Sequence, residues 1–425
     1  MITPAFSLTA TERILPRLAL DFTTASLDSR VTFTRSGNTA TVTNSSGAIA
    51  TVNANIPRFD YDPVTLICKG LLIEESRTNL LKNSDQISNN GTWARASTSV
   101  TANAVNSPDG TQNADTLIAT ASTAVHDVEQ AVTITAAATQ TFSVYVKAGT
   151  NNFVSLFCYT VTSTAHWFEA TYNLSDATVS KTGAGASGTY ISSSLTNVGN
   201  GWYRAVVTGS IAAGTSMFCG IKLENTSTPT YGNYGGTSWT ASGTESIYLW
   251  GAQVEAGTFA TSYIPTTSAA LTRNADVATM TGTNFSDWYT GSTGTFGCSL
   301  TPKSSTGTKP VVQCDDTTAL NIIALQGNAA SLELKITTLG VLQSTLSTGT
   351  ISENTAYSGC GAWAAGSDGL SKSGGAAATG SPSAIPAVTQ ARLGSDGTNY
   401  LNGWLQKINY WPQRLTNSEV QAFSK

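Results

Sequence analysis

The chain has 425 residues, of which only 11% are charged, and a net charge of −4. That length allows two or three domains whose cores need no disulfides, and the lack of a basic run argues against a nucleic-acid footprint. Glycine numbers 38, Thr, Ser, Ala and Asn fill most polar positions, and the usual surface helix formers are scarce, so an all-β protein is expected.

The opening stretch, MITPAFSLTATERILPRLAL, has no basic head before a long apolar core, and Pro4 and Pro16 interrupt it. No signal peptide is expected from it, and no apolar run reaches the roughly 18 residues of a membrane span. Residues 1–77 hold short strand-like pieces at 18–22, 31–34 and 39–42, separated by turn formers at 36–38 and 44–47. Large apolar residues are few there, so an elongated or intertwined segment is expected rather than a compact domain. Its end, GLLIEESRTNLL over 70–81, places Glu74, Glu75 and Arg77 between two apolar runs. Charges so placed fit a junction at which each run belongs to a different core, with Arg77 paired to a glutamate of its own chain or of a neighbouring subunit.

Residues 78–270 read as strands of period two. In TFSVYVKAG, Phe142, Val144 and Val146 face one way and Ser143, Tyr145 and Lys147 the other. NNFVSLFCYT, HWFEATYNL, GWYRAVVTG, MFCGIKLE and SIYLWGAQVEAG behave alike, and Gly/Ser/Thr/Asn turns separate them, which predicts a jelly-roll sandwich. Residues 271–425 contain GTFGCSL, KPVVQCD, LNIIAL, LELKITT and LNGWLQKINYW and close on LTNSEVQAFSK. There Thr416 and Glu419 match a capping box, and a second sandwich finished by one short helix is expected.

Several of these strings together, PAFSLTATERILPRLALDFT, RFDYDP, GLLIEESRTNLL, NGWYR, LWGAQVEAG with TSYIPT after it, and LNGWLQKINYWPQRLTNSEV, resemble a family of tailed-bacteriophage virion surface proteins, described as head spike, head fibre or tail fibre proteins. The resemblance implies a carbohydrate-binding-like jelly roll over 78–270 and a concanavalin/laminin-G-like sandwich over 271–425. It also implies a homotrimer on the virion surface, assembled in the host cytoplasm. Residues 1–77 would attach or trimerise it, with other virion proteins as partners and host glycans as a further candidate partner.

Catalytic constellations are sparse. The two histidines, His126 and His166, have no metal-ligand spacing around them. A GxGxxG at 183–188 is followed by the β-prone TYISSSLTNV, so a loop between strands is expected there rather than a dinucleotide site. Asp60 with Asp62, Asp127 with Glu129, and Asp315 with Asp316 are the carboxylate pairs that glycan cleavage would require, but no set of catalytic residues is expected. No cofactor is expected, although Asp109, Asn113 and Asp115 in SPDGTQNAD could hold a structural calcium ion or form a self-bonded turn. The six cysteines contain no CxxC and read as free buried thiols. Among nine tryptophans and 14 tyrosines, Trp202, Trp250, Trp404 and Trp411 lie in strands and are expected in cores. The Gly-rich YGNYGGTSW, with Tyr231, Tyr234 and Trp239, together with Trp93, is the expected contact surface for a glycan or a protein partner.

Overall fold

The computed structural model describes residues 15–134, 138–211, 216–232, 234 and 236–425. Among these residues the chain is nearly all β, arranged as two antiparallel sandwiches. The middle sandwich packs two six-stranded sheets. One runs in the order Gly188–Gly199, Trp202–Ile211, Thr139–Ala148, Ser246–Ala256, Ala114–Ala119, Thr98–Val105. The other runs Thr178–Ala184, Trp167–Asn173, Phe153–Tyr159, Ser216–Leu223, Asp127–Thr133, Ala94–Ala96. Alternation sends Val144, Leu156, Phe168, Ile221 and Val254 into one shared core, each worth roughly 1.5–3 kcal/mol when fully buried.

The second sandwich is built from both ends of the chain. Its eight-stranded sheet centres on Gly403–Trp411, flanked by Gly294–Pro302 on one side and Cys68–Ile73 on the other. Leu18–Asp21 also pairs with Gly403–Trp411, and Phe59–Tyr61 extends the sheet beyond Cys68–Ile73. In the facing seven-stranded sheet, Thr32–Thr34 adds to Val277–Thr281. The expectation of a separate elongated segment over 1–77 is therefore corrected for its described part. Leu18, Leu20, Phe22, Phe33, Leu71 and Ile73 are core residues of the C-terminal sandwich. The strands were short because they complete a sheet rather than make one. The closing helix Asn417–Phe423 carries the capping box, with Thr416 accepting from the Glu419 amide, and it buries Val420.

The two sandwiches are joined by a ladder in which Arg77–Asn79 pairs with Leu271–Arg273. Glu74 lies beside it, fully buried, and answers the question posed by the charged stretch. Its carboxylate is 2.9 Å from Arg58, 3.5 Å from Arg273 and 2.7 Å from Lys303. It also accepts from the amide and hydroxyl of Ser262, which follows the last strand of the middle sandwich. Burial alone would raise the Glu74 pKa, but Lys303, Arg58 and Arg273 hold it well below the usual carboxylate range. Asp276 pairs with Arg35 at 3.1 Å and closely with Arg58. Some surplus guanidinium hydrogens go to backbone carbonyls, Arg35 to Asn53 at 2.6 Å and Arg273 to Glu75 at 2.7 Å, while the Nε of Arg35, Arg58 and Arg273 has no acceptor among the described residues. Arg77 bonds Glu75 of its own chain at 2.6 Å. Of the alternatives for that pair, the intrachain one is present.

Candidate functional site

In the sheet that begins with Thr178–Ala184, the residues that do not enter the core form rows across the strands. Glu129, Gly220, Phe157, Glu169 and Gly183 are successive cross-strand neighbours. Beside them run Asp127, Lys222, Ser155, Thr171 and Lys181, and on the other side Phe218, Tyr159 and Trp167. Period-two strands force this: whatever alternates with Val154, Leu156 and Cys158 must stand on the outer face. A side chain at Gly220 would collide with the Phe157 ring, and one at Gly183 would come within 2.7 Å of Tyr231. These two glycines make room for rings to lie flat on the sheet.

The rings form a continuous platform. Tyr159 stacks on Phe218 at 5.1 Å and 15°, and lies 6.0 Å from Phe157. Tyr234, partly exposed on the loop above, meets Tyr159 at 5.1 Å. Tyr231 folds down over the strands, 5.8 Å from Trp167, and its hydroxyl bonds Thr171 at 2.6 Å. Polar groups border the platform: the Tyr159 hydroxyl donates to Glu129 at 3.0 Å. The Lys222 ammonium is 2.6 Å from Glu169 and 3.2 Å from Glu224, and 5.4 Å from the centre of the Phe157 ring.

The electrostatics are those of a carboxylate-rich surface short of donors. Burial pushes Asp127 up to about 7, with Glu129 adding to the effect and Lys222 opposing it. Burial likewise raises Glu129, against its bond from Tyr159. Glu169 is pushed up to about 7 by burial, with Lys222 opposing, Glu224 adding and a hydrogen bond from Ser155 opposing. Burial works against the charge on Lys222, but Glu169 and Glu224 outweigh it and raise its pKa. One ammonium shared by two carboxylates leaves the group able to hold a further proton near neutrality. Chemically, flat rings edged by carboxylates, amides and an ammonium match the apolar CH faces and hydroxyls of a sugar.

Of the residues singled out from sequence, Tyr231 and Tyr234 reach this face. Trp239 and Trp93 do not offer contact surface, which corrects that expectation. Trp93 is fully buried and donates to the Asn83 carbonyl at 3.1 Å. Trp239 is 9% exposed, donates to the Leu223 carbonyl, and packs 4.7 Å from His126. Their Gly-rich surroundings turn the chain tightly enough to bury them. Asp109 is engaged by the Thr111 amide at 2.7 Å and by Ser107 and Asn113, as a self-bonded turn requires. Asp115 accepts instead from the amides of Ser88 and Asn103. No group of three His, Cys, Asp or Glu residues that could hold a metal occurs among the described residues. The loop at 183–188 joins a strand of one sheet to a strand of the other, without a helix after it. All six cysteines are free, and five are buried.

Phe157, Tyr159, Phe218, Glu169, Lys222 and Glu224 were not singled out from the sequence, whereas Glu129 was, as the partner of Asp127 in a carboxylate pair. The signal was present: Glu169, Lys222 and Glu224 are charges at alternate positions in strands of a charge-poor chain.

No protein family and no curated protein matches this chain. Solved structures with some likeness include the Ruminococcus gnavus IT-sialidase CBM40 bound to α2,3-sialyllactose, at 16% identity over 33% of this chain and 88% of that one, TM-score 0.30. The NanB sialidase of Streptococcus pneumoniae matches at 11% identity over 34% of this chain and 26% of that one, TM-score 0.29. A Trypanosoma rangeli sialidase matches at 11% identity over 73% and 60%, TM-score 0.26. The architecture given above rests on this chain's own strand pairing.

Proposed function

We propose that this protein is a non-enzymatic structural component of a tailed-phage virion surface, a head fibre or spike, that holds host glycans on the outer face of its middle sandwich. The observation that supports the binding reading is the open face formed by Tyr159, Phe218 and Tyr234 and edged by Glu129, with Phe157 and Lys222 buried beneath it. Rings left partly open on a sheet face, with fixed polar groups at their rim, suit saccharide stacking. The virion placement is supported by the whole-chain resemblance of the quoted strings, and it includes self-association as a homotrimer and attachment through residues 1–77. A glycan array followed by calorimetry on the full chain tests the binding reading. Specific signals that vanish in Tyr159→Ala are expected; an array blank for the folded protein overturns it. Mass spectrometry and antibody labelling of purified virions test the placement. Labelled heads are expected, labelled tails would move the protein to a tail fibre, and absence from virions would sink the reading. Light scattering checks the trimer.

A second reading, glycan cleavage, is favoured by one observation: Asp127 and Glu129 stand on one face of one strand, both with raised pKa. Such carboxyls can serve as proton donors. Incubation with host capsule or lipopolysaccharide should release no reducing ends; release that is lost in Asp127→Asn would establish cleavage instead.

A further inference from the structure

A second candidate site lies away from the aromatic platform, between the two sandwiches. A cleft of about 630 Å³ opens there, with strand Gly188–Gly199 on one wall and Asp60, Lys69 and Trp404 on the other. The first wall offers hydroxyls, Ser192, Ser194 and Thr196, which can donate and accept alike. The second wall is electrostatically incomplete. The Lys69 ammonium stands 3.4 Å from the centre of the Trp404 ring, and no carboxylate lies within ion-pair distance of it among the described residues. Asp60 and Asp62, also on the lining, favour its charge from beyond ion-pair distance, and Asp60 is already committed: one oxygen accepts from the Thr43 amide at 2.8 Å, the other from the Trp404 indole at 2.8 Å. Lys303 adds a second ammonium 5.0 Å from the same ring, but Glu74 neutralises it at 2.7 Å. Among the described residues Lys69 and Arg204 are the cations on this cleft without a carboxylate partner, and Arg204 is held instead by the Thr261 carbonyl at 2.7 Å and the Ser143 hydroxyl at 3.0 Å. Burial pulls its pKa down to about 8, with Lys303 adding to the effect and Asp60 opposing it. That is the state of an amine waiting for a counter-charge. Clefts at domain interfaces are favoured places for ligands, and a half-buried ammonium gains most from an anion that brings its own charge into low dielectric.

We infer that the cleft between the sandwiches is a binding site for a carboxylate-bearing saccharide, whose acid group pairs with Lys69 while its hydroxyls meet Ser192, Ser194 and Thr196. The site is separate from the outer-face platform and does not depend on it. The test uses calorimetry of the full chain with tetragalacturonate and with its methyl ester, which has the same ring hydroxyls and no charge. Wild type should bind the acid at least about tenfold more tightly than the ester, the value of one charge-assisted contact. Lys69→Gln should lose that preference and leave the ester unchanged, whereas Lys69→Arg should keep it. Equal binding of acid and ester, no binding of the acid to wild type, or full acid affinity in a folded Lys69→Gln protein would each overturn the inference.

Discussion

Two clusters of buried charge in this molecule are built from the same kinds of residue and differ in balance. At the junction, Glu74 and Asp276 meet Arg35, Arg58, Arg273 and Lys303; some of the leftover guanidinium hydrogens reach backbone carbonyls, while the Nε of Arg35, Arg58 and Arg273 finds no acceptor among the described residues. On the outer face of the middle sandwich, Glu169 and Glu224 share Lys222. The first cluster has more donors than acids and fills the gap between two cores. The second has more acids than donors and lies beneath half-open rings. A cation-rich network at a domain junction is fixed around the acids it encloses; an acid-rich one beneath open rings keeps acceptor capacity to spare.

This contrast can be broken at several points. The largest effect is expected at the junction. Glu74→Ala strands several buried cations and should cost about 3–5 kcal/mol, read as a lower melting temperature; a loss below about 1 kcal/mol would mean the junction does not hold the sandwiches together. On the outer face, Tyr159→Ala should weaken glycan binding about tenfold or more, near 1.4 kcal/mol, with the fold retained by circular dichroism. Binding unchanged by that substitution would place the ligand elsewhere.

The pH dependence sharpens the comparison further. Asp127 and Glu169 rise from ordinary values of 3.8 and 4.5 to about 7 on folding. Between those limits the folded state binds more protons than the unfolded, so their contribution to stability is complete below about pH 4 and is lost as pH rises through about 7. The Glu169→Gln protein should therefore lose less stability than wild type between pH 5 and pH 8, by about 2 kcal/mol. Parallel stability curves for the two proteins would show that Glu169 does not titrate there. The smallest effect is expected at Arg77→Ala, which breaks a partly exposed pair with Glu75 and should cost roughly 0–1 kcal/mol in denaturant unfolding. A loss as large as that of Glu74→Ala would mean the two pairs form a single network.

How much of this was legible beforehand follows from the range of each physical signal. Period-two alternation is local, so TFSVYVKAG and NNFVSLFCYT declared their strands and inward faces directly. The capping box at Thr416 and Glu419 is equally local, and it formed as read. The position of GLLIEESRTNLL between two cores followed from its own apolar and charged blocks. Register across strands is not local. Nothing near Glu129 in sequence announces Gly220, Phe157 or Glu169, which become its row only when four strands pair. The same limit explains Trp93 and Trp239: polar, Gly-rich neighbours describe the backbone, not which core the ring turns into.

By itself, then, the chain's pattern of apolar alternation and turn residues determined an all-β protein with a middle sandwich, a second one after it, and a charged junction where the middle one begins. Tertiary structure alone decided that residues 18–73 complete the far sandwich, and it decided which outward side chains meet as a platform and which ammonium stands unpaired in the cleft. The reason is that hydrophobic period is written along the strand, whereas sheet partners, and the desolvation that sets each charge's demand for a partner, are supplied by residues hundreds of positions away.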